Sequence, residues 1–234
     1  MTTARCFALV PAAGVGARSG ADRPKQYVPL AGRPMIAHTL AALAAVPELM
    51  ATLVVLSPTD DLFESCVPGF AGWVARCGGD SRAASVAAGL AELQRRGAAL
   101  EDWVLVHDAA RCLLRPAWVQ ALIAACVSDP VGGLLAQPVA DTLKQSRDGR
   151  VATTLDRSDK WAAQTPQMFR LGLLQQALQQ ARAVTDEASA VEAMGHAPLL
   201  VRASAENFKV TWPEDFALAE RLLAAPYQVG PSSR

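Results

Sequence analysis

Three stretches of this 234-residue chain combine residue types and spacings suited to anion chemistry. The first covers residues 7–33, FALVPAAGVGARSGADRPKQYVPLAGR. Its apolar run 7–10 leads into Ala12-Ala13-Gly14-Val15-Gly16, residues small enough for backbone N–H groups to approach an anion closely. Arg18 and Lys25 lie on the same loop, with Asp22 the one acid among them. A strand feeding a small-residue turn and two cations suits a triphosphate.

The second stretch is 78–86, GGDSRAASV. Two glycines and an aspartate make a tight turn before a helix capped by Asp80 or Ser81. A glycine backbone with a hydroxyl one helical turn onward could read a pyrimidine edge. The third is HDAAR at 107–111, closing the apolar run 103–107. An acid at the carboxyl end of a central strand lies where open α/β sheets bind ligands. Asp108 is thus a candidate Mg²⁺ ligand, since Mg²⁺ in phosphate sites takes one or two carboxylates with phosphate oxygens.

Each stretch has a plainer reading. A dinucleotide fingerprint would need Gly at position 19, which is Ser19, and Gly20, Pro24 and Pro29 interrupt any helix there. No G-x-x-x-x-G-K-[ST] occurs in the stretch. A surface turn with solvated cations remains open on composition alone. The same holds for a simple turn and cap at 78–86, a loop aspartate at 108 and a solvated strand-end lysine at Lys209.

The elements that must position these groups alternate. Strands are expected at 7–10, 52–56, 73–76, 103–107, 131–139, 199–202 and 207–211. Helices are expected at 34–46, 60–67, 81–96, 116–128, 171–181 and 213–223, with another capped by Thr185. This order implies a Rossmann-like, doubly wound, mostly parallel sheet in one domain over 1–234. Residues 140–163 break the pattern: Asp148-Gly149 sits between alternating residues, as in a β-hairpin. A polar two-stranded ribbon is marginal alone, so this arm is expected to pair with another subunit.

Composition bounds the rest. Lys+Arg and Asp+Glu both total 22, so there is no global charge for nucleic acid or a membrane surface. Cys6, Cys66, Cys77, Cys112 and Cys126 form no C-x-x-C and leave an odd count, favouring reduced thiols over disulfides or zinc. The opening MTTAR runs straight into the first strand, so no signal peptide is expected. No apolar run approaches the roughly 20 residues of a spanning helix. A soluble, cytoplasmic protein is expected.

The spelling of the motifs is more specific than their composition. P-A-A-G-x-G-x-R, P-K-Q-Y and L-x-G-x-P resemble the signature loop of the sugar-nucleotide transferase superfamily. Within it, PKQY points to the 2-C-methyl-D-erythritol 4-phosphate cytidylyltransferases of isoprenoid precursor synthesis. GGxxRxxSV, HDAAR, the DT, DR and TPQ of the arm region, TDEAS and NxKVTxPED extend the resemblance across about 7–223. Cys112 stands where that family usually has Pro, and Trp212 where it often has Arg or Thr.

The resemblance implies CMP transfer from CTP to 2-C-methyl-D-erythritol 4-phosphate, with Mg²⁺ on Asp108. It implies that Arg18, Lys25 and Lys209 act on the phosphates, and that Pro11, Ala12, Ala13, Gly14 and Gly16 hold the triphosphate. Gly79, Asp80 and Ser85 would recognise cytosine, with Asp108 and Ala109 also against CTP. Asp108, Arg111, Thr165 and Lys209 would receive the acceptor, joined by Thr142 and Arg157 from the partner arm of a homodimer. The acids of TDEAS read as structural. Alternatives are a cytidylyltransferase for another polyol phosphate, such as ribitol 5-phosphate, and a non-catalytic nucleotide-binding protein. The intact Arg18, Lys25 and Asp108 disfavour the latter.

Overall fold

In a computed structural model, which describes residues 4–14, 23–181 and 184–225, strand β1 (Cys6–Pro11) lies inside the main sheet. It pairs in parallel with β4 (Leu49–Val55) on one side and β6 (Trp103–Val106) on the other. A strand covered on both faces must be apolar at successive positions, which is why 7–10 reads as a continuous run. Phe7 and Leu9 pack on one face of the sheet, Ala8 and Val10 on the other.

Helix α1 (Met35–Ala44) and helix α4 (Pro116–Cys126) cover the Ala8/Val10 face through Ile36, Leu40, Val119 and Leu122. Helix α3 (Arg82–Arg95) and helix α5 (Leu171–Gln180) cover the Phe7/Leu9 face through Val86, Leu90 and Leu174. A Cβ at Gly89 would stand 2.5 Å from Leu9 Cδ1 and 2.8 Å from Val55 Cγ2, so glycine lets α3 settle onto the sheet. Layers of this kind on both faces are the expected doubly wound arrangement.

The remaining strands complete a seven-stranded sheet. β5 (Trp73–Ala75) extends it beyond β4, while β7 (Gly132–Pro138) and β11 (Leu199–Arg202) form the far edge. β10 (Trp161–Arg170) enters antiparallel between β6 and β7, the exception in an otherwise parallel sheet. Short strands β2 (Pro29–Leu30) and β3 (Arg33–Pro34), and short helices α2 (Phe63–Cys66) and α6 (Glu187–Glu192), fill the connections. Helix α7 (Pro213–Ala224) closes the described chain. No helix among the described residues is long and apolar enough to cross a membrane.

β8 (Leu143–Arg147) and β9 (Arg150–Leu155) form a separate hairpin, turned at Asp148 and Gly149 with φ of 51° and 74°. Two successive positive φ values are what a two-residue hairpin turn of matching twist requires. Every residue of β9 is exposed. Residues 161–163 of the expected arm belong to β10 and pair with Pro138, Gln137 and Ala136 of the main sheet.

Two local expectations are corrected. Residues 207–211 form no strand: Ala205–Asn207 is a 3₁₀ turn, and the Asn207 side chain ties the segment crosswise to Gln164 and the Thr165 carbonyl. The cap of α6 is Asp186 rather than Thr185, because the Asp186 carboxylate accepts from the Ser189 N–H at 2.9 Å.

Candidate active site

The carboxyl ends of β1, β4 and β6 open into a cleft of about 650 Å³, lined in part by Ala13, Gly14, Lys25, Gly79, Asp108 and Lys209. Pro11, Ala12, Asp80, Ser85 and Ala109 line it as well, whereas Gly16 and Arg18 lie outside the described residues. A Cβ at Gly78 would fall 2.2 Å from Ala13 Cβ and 2.8 Å from the Leu56 carbonyl oxygen. Glycine there brings the 78–81 loop against the β1 loop. The Ala12 N–H donates to the Val55 carbonyl at 2.8 Å, so Ala12 shapes the wall without a backbone donor for phosphate. The buried Gln26 amide donates to the Ala12 carbonyl at 2.9 Å and fixes the turn that carries Lys25. Lys25 Nζ donates to the Val210 carbonyl at 2.7 Å, which brings it beside the Lys209 segment.

At the other side of the cleft, Ser81 caps α3 by accepting from the Ala84 N–H at 3.0 Å. Ser85 Oγ accepts from the Gly79 N–H at 3.2 Å and donates to the Ser81 carbonyl at 3.0 Å. Two of the expected base readers therefore bond one another, and Ser85 organises the loop from within.

Asp108 is the electrostatic centre. Its Oδ1 accepts from Arg82 Nε and its Oδ2 from Lys209 Nζ, both at 2.8 Å. Arg82 in turn grips Glu187 with two bonds of 2.6 and 3.0 Å. Burial alone would raise the Asp108 carboxyl, and Arg82 and Lys209 more than offset it, holding it below the usual carboxylate range. Burial pushes Glu187 up, against the pull of Arg82. Neither Arg82, one residue within a motif, nor Glu187, a helix-start acid, stands out from the sequence as a site residue. A usable signal existed: a cation in the first turn of a helix opposes the dipole and needs an acidic partner.

Arg111 donates to the Asn207 carbonyl at 2.8 Å and to the Ala163 carbonyl at 3.3 Å. With Asp108, Thr165, Asp186 and Lys209 it lines a smaller polar cavity of about 220 Å³. The Thr165 hydroxyl is buried between the Asp108 N–H and His107, so it faces its neighbours rather than open space. Thr142 and Arg157 are exposed on the arm and line neither cavity of their own chain.

Among the described residues no cluster of three or more His, Cys, Asp and Glu side chains is arranged to hold a metal. The donor set suits a divalent ion only as one carried by a triphosphate, with Asp108 adding a single carboxylate.

Comparisons with known proteins agree on one family. The family model for 2-C-methyl-D-erythritol 4-phosphate cytidylyltransferase matches residues 6–225. A protein of that name from Paraburkholderia phytofirmans is 54% identical over 233 residues, covering 96% of this chain and 98% of its own. A bifunctional enzyme IspD/IspF from Albidiferax ferrireducens is 62% identical over 224 residues; the match spans 95% of this chain but 54% of that longer protein. Among solved structures, a 4-diphosphocytidyl-2C-methyl-D-erythritol synthase superposes with a TM-score of 0.85 at 41% identity, covering 95% of this chain and 100% of the other. The cytidylyltransferase of Thermus thermophilus gives 0.79 at 31%, covering 94% and 100%.

Proposed function

Because the chain belongs to the 2-C-methyl-D-erythritol 4-phosphate cytidylyltransferase family, we propose that this cleft joins CMP from CTP to 2-C-methyl-D-erythritol 4-phosphate. The products are 4-diphosphocytidyl-2-C-methyl-D-erythritol and pyrophosphate. The observation that carries the reading is the meeting of Lys25, Asp108 and Lys209, from three distant stretches, at the carboxyl ends of the central strands.

The acceptor is a phosphate monoester whose second pKa of about 6 leaves it largely dianionic at neutral pH. Its oxygen attacks the α-phosphorus, and the bond to the bridging oxygen breaks, its electron pair leaving with pyrophosphate. No general base is needed for a nucleophile already ionised. His38 and His107 fit this economy, since both turn to backbone carbonyls, of Leu30 at 2.8 Å and of Arg111 at 3.2 Å. The chain's task is to hold two anions in line and to stabilise charge on the α-phosphate. Lys25 and Arg18 serve the α-phosphate and the leaving group, the 11–16 loop holds the triphosphate, and the 79–85 loop receives the base. Asp108, Arg111 and Lys209 meet the acceptor, with Thr165 behind them. Asp108 would help hold a divalent cation, Mg²⁺ in this reading, which would offset the negative charge of the triphosphate.

The arm belongs to the same reading. The hairpin stands apart from the main sheet, and Val151 is 65% exposed on it. We assign 140–160, the expected arm less the three residues that join β10, as a dimerisation arm on a single domain, reaching a second copy and placing Thr142 and Arg157 beside the partner's acceptor. Pyrophosphate release from CTP, measured with 2-C-methyl-D-erythritol 4-phosphate and with ribitol 5-phosphate, tests the assignment. Turnover restricted to the former is expected; preference for ribitol 5-phosphate would move the assignment to a different polyol, and release with neither would remove it.

A further inference from the structure

Behind the cleft, hydrogen bonds close a ring around the turn that carries Asp108 and Arg111. The Arg111 N–H donates to the Asp108 carbonyl at 3.0 Å, folding 108–111 back on itself. The Asp108 N–H donates to Thr165 Oγ1 at 3.0 Å. The same hydroxyl lies 3.0 Å from His107 Nδ1, and His107 Nε2 lies 3.2 Å from the Arg111 carbonyl. His107 and Thr165 are both buried.

The partners decide which nitrogen holds the proton. A carbonyl can only accept, so Nε2 carries it. A neutral imidazole has a single N–H, so its other nitrogen accepts. Nδ1 is then an acceptor for the Thr165 hydroxyl, whose oxygen accepts from Asp108. Every polar atom of the imidazole and of the hydroxyl is used once, in one direction around the ring.

We propose that His107 is a positioning residue for cytidylyl transfer: through the Thr165 hydroxyl and the Arg111 carbonyl it fixes the turn from which Asp108 and Arg111 reach the substrates. The proposal rests on the placement of those two side chains in the substrate site. Arg82 and Lys209 hold the Asp108 carboxylate from its outer end, and the His107 ring holds the backbone beneath it. The ring also bridges β6 to β10, because Thr165 belongs to β10. Misplacing a substrate-bearing group by about 1 Å can cost about 10²-fold in rate. A histidine that merely filled space could be neutral in either tautomer.

The ligand-free protein, labelled with ¹⁵N in histidine, reports the tautomer without turnover. His38 and His196 are the other two histidines, and His38→Gln and His196→Gln variants identify the remaining ring. A protonated Nε2 and a bare Nδ1 are expected for His107 at neutral pH. A proton on Nδ1, alone or with one on Nε2, overturns the proposal. Thr165→Val removes the hydroxyl at nearly constant shape. It is expected to lower kcat/KM for the acceptor phosphate about 10²-fold. KM for CTP should change less, because the 11–16 and 79–85 loops also hold the nucleotide, and the His107 ring should lose its single tautomer. Thr165→Ser should restore both. Native kinetics in Thr165→Val, a loss that Ser does not restore, or a loss falling equally on CTP would each overturn it. The two possible failures are distinct: an inactive native protein overturns the site reading itself, whereas an active one with the wrong tautomer overturns only the lock.

Discussion

Lys25 Nζ donates to the carbonyl of Val210 at 2.7 Å, across 185 residues of chain. Lys209, the residue before Val210, sends its own Nζ to Asp108 at 2.8 Å. Two ammonium groups are thereby held on one segment at the cleft mouth, aligned before any phosphate arrives. Preorganised charge of this kind acts most strongly where charge develops in the transition state. Lys25→Ala should therefore lower kcat by 10²–10³, about 3–4 kcal/mol, with a smaller rise in KM for CTP. Steady-state kinetics check this. A near-normal kcat with weaker CTP binding would assign Lys25 to ground-state binding alone.

Ser85→Ala should weaken CTP binding by loosening the loop rather than by removing one contact to the base. The hydroxyl is the common partner of the Gly79 N–H and the Ser81 carbonyl, so its loss frees both ends of the 79–81 turn. The fold should survive, since the Ser81 cap of α3 remains. KM for CTP is expected to rise while the melting temperature changes little. The native protein should prefer CTP to UTP. Equal use of the two nucleotides would reject the 79–85 loop as the base site.

Motif spelling made the cleft walls legible, because strand ends and small-residue turns are local features. Lys25, Asp108, Lys209 and the 78–81 loop all come to the cleft from stretches singled out in the sequence. What stayed hidden was pairing over distance. Arg82 read as one residue within a motif, and only the fold shows Glu187 105 residues away as its partner. The misread strand at 207–211 has the same origin. Its apolar-polar alternation is genuine, but the Asn207 side chain bonds to the Gln164 side chain and the Val210 N–H to the Ala110 carbonyl, so no backbone ladder forms. Ser85 illustrates the converse, since the hydroxyl whose spacing marks it out also bonds within its own loop.

Arg82 offers a stability test that separates it from the groups at the cleft mouth. Its guanidinium is the shared partner of two buried carboxylates, Asp108 and Glu187. Removing one partner of a buried ion pair leaves uncompensated charge and typically costs about 3–5 kcal/mol. Arg82→Ala should therefore lose about that much stability in urea unfolding. A loss within about 0.5 kcal/mol, as for an ordinary surface substitution, would show that the network carries little of the fold.

The thiols give a prediction in pH. Burial pushes Cys6 up to about 11 and Cys112 and Cys126 up to about 12. Cys66, in contrast, is only half-buried. At pH 8, Ellman's reagent should leave Cys6, Cys112 and Cys126 unmodified in the folded protein and titrate all five thiols in denaturant. Unfolded thiols ionise near a pKa of roughly 8.5, so above that pH the unfolded state binds fewer protons than the folded one. These three groups therefore make stability fall as pH rises from about 9 towards 12. Rapid labelling of Cys112 at pH 8 would contradict both statements.

The arm carries the last prediction, that Arg157 completes the site of the other subunit. On its own chain Arg157 is exposed and lines neither cavity, while among the described residues β8 and β9 pair only with each other. In a two-fold dimer each hairpin would reach across, and the two sites would be equivalent. Lys25→Ala and Arg157→Ala proteins should each be nearly inactive alone. A heterodimer of the two has one site carrying both lesions and one site drawing intact Lys25 from one chain and intact Arg157 from the other. Co-expression with two affinity tags isolates that species, and its activity should approach half that of the native dimer. If Arg157 served its own chain, each site of the heterodimer would keep one lesion and mixing would restore nothing. An inactive, verified heterodimer would therefore reject the shared site while leaving the cytidylyltransferase chemistry of the cleft untouched.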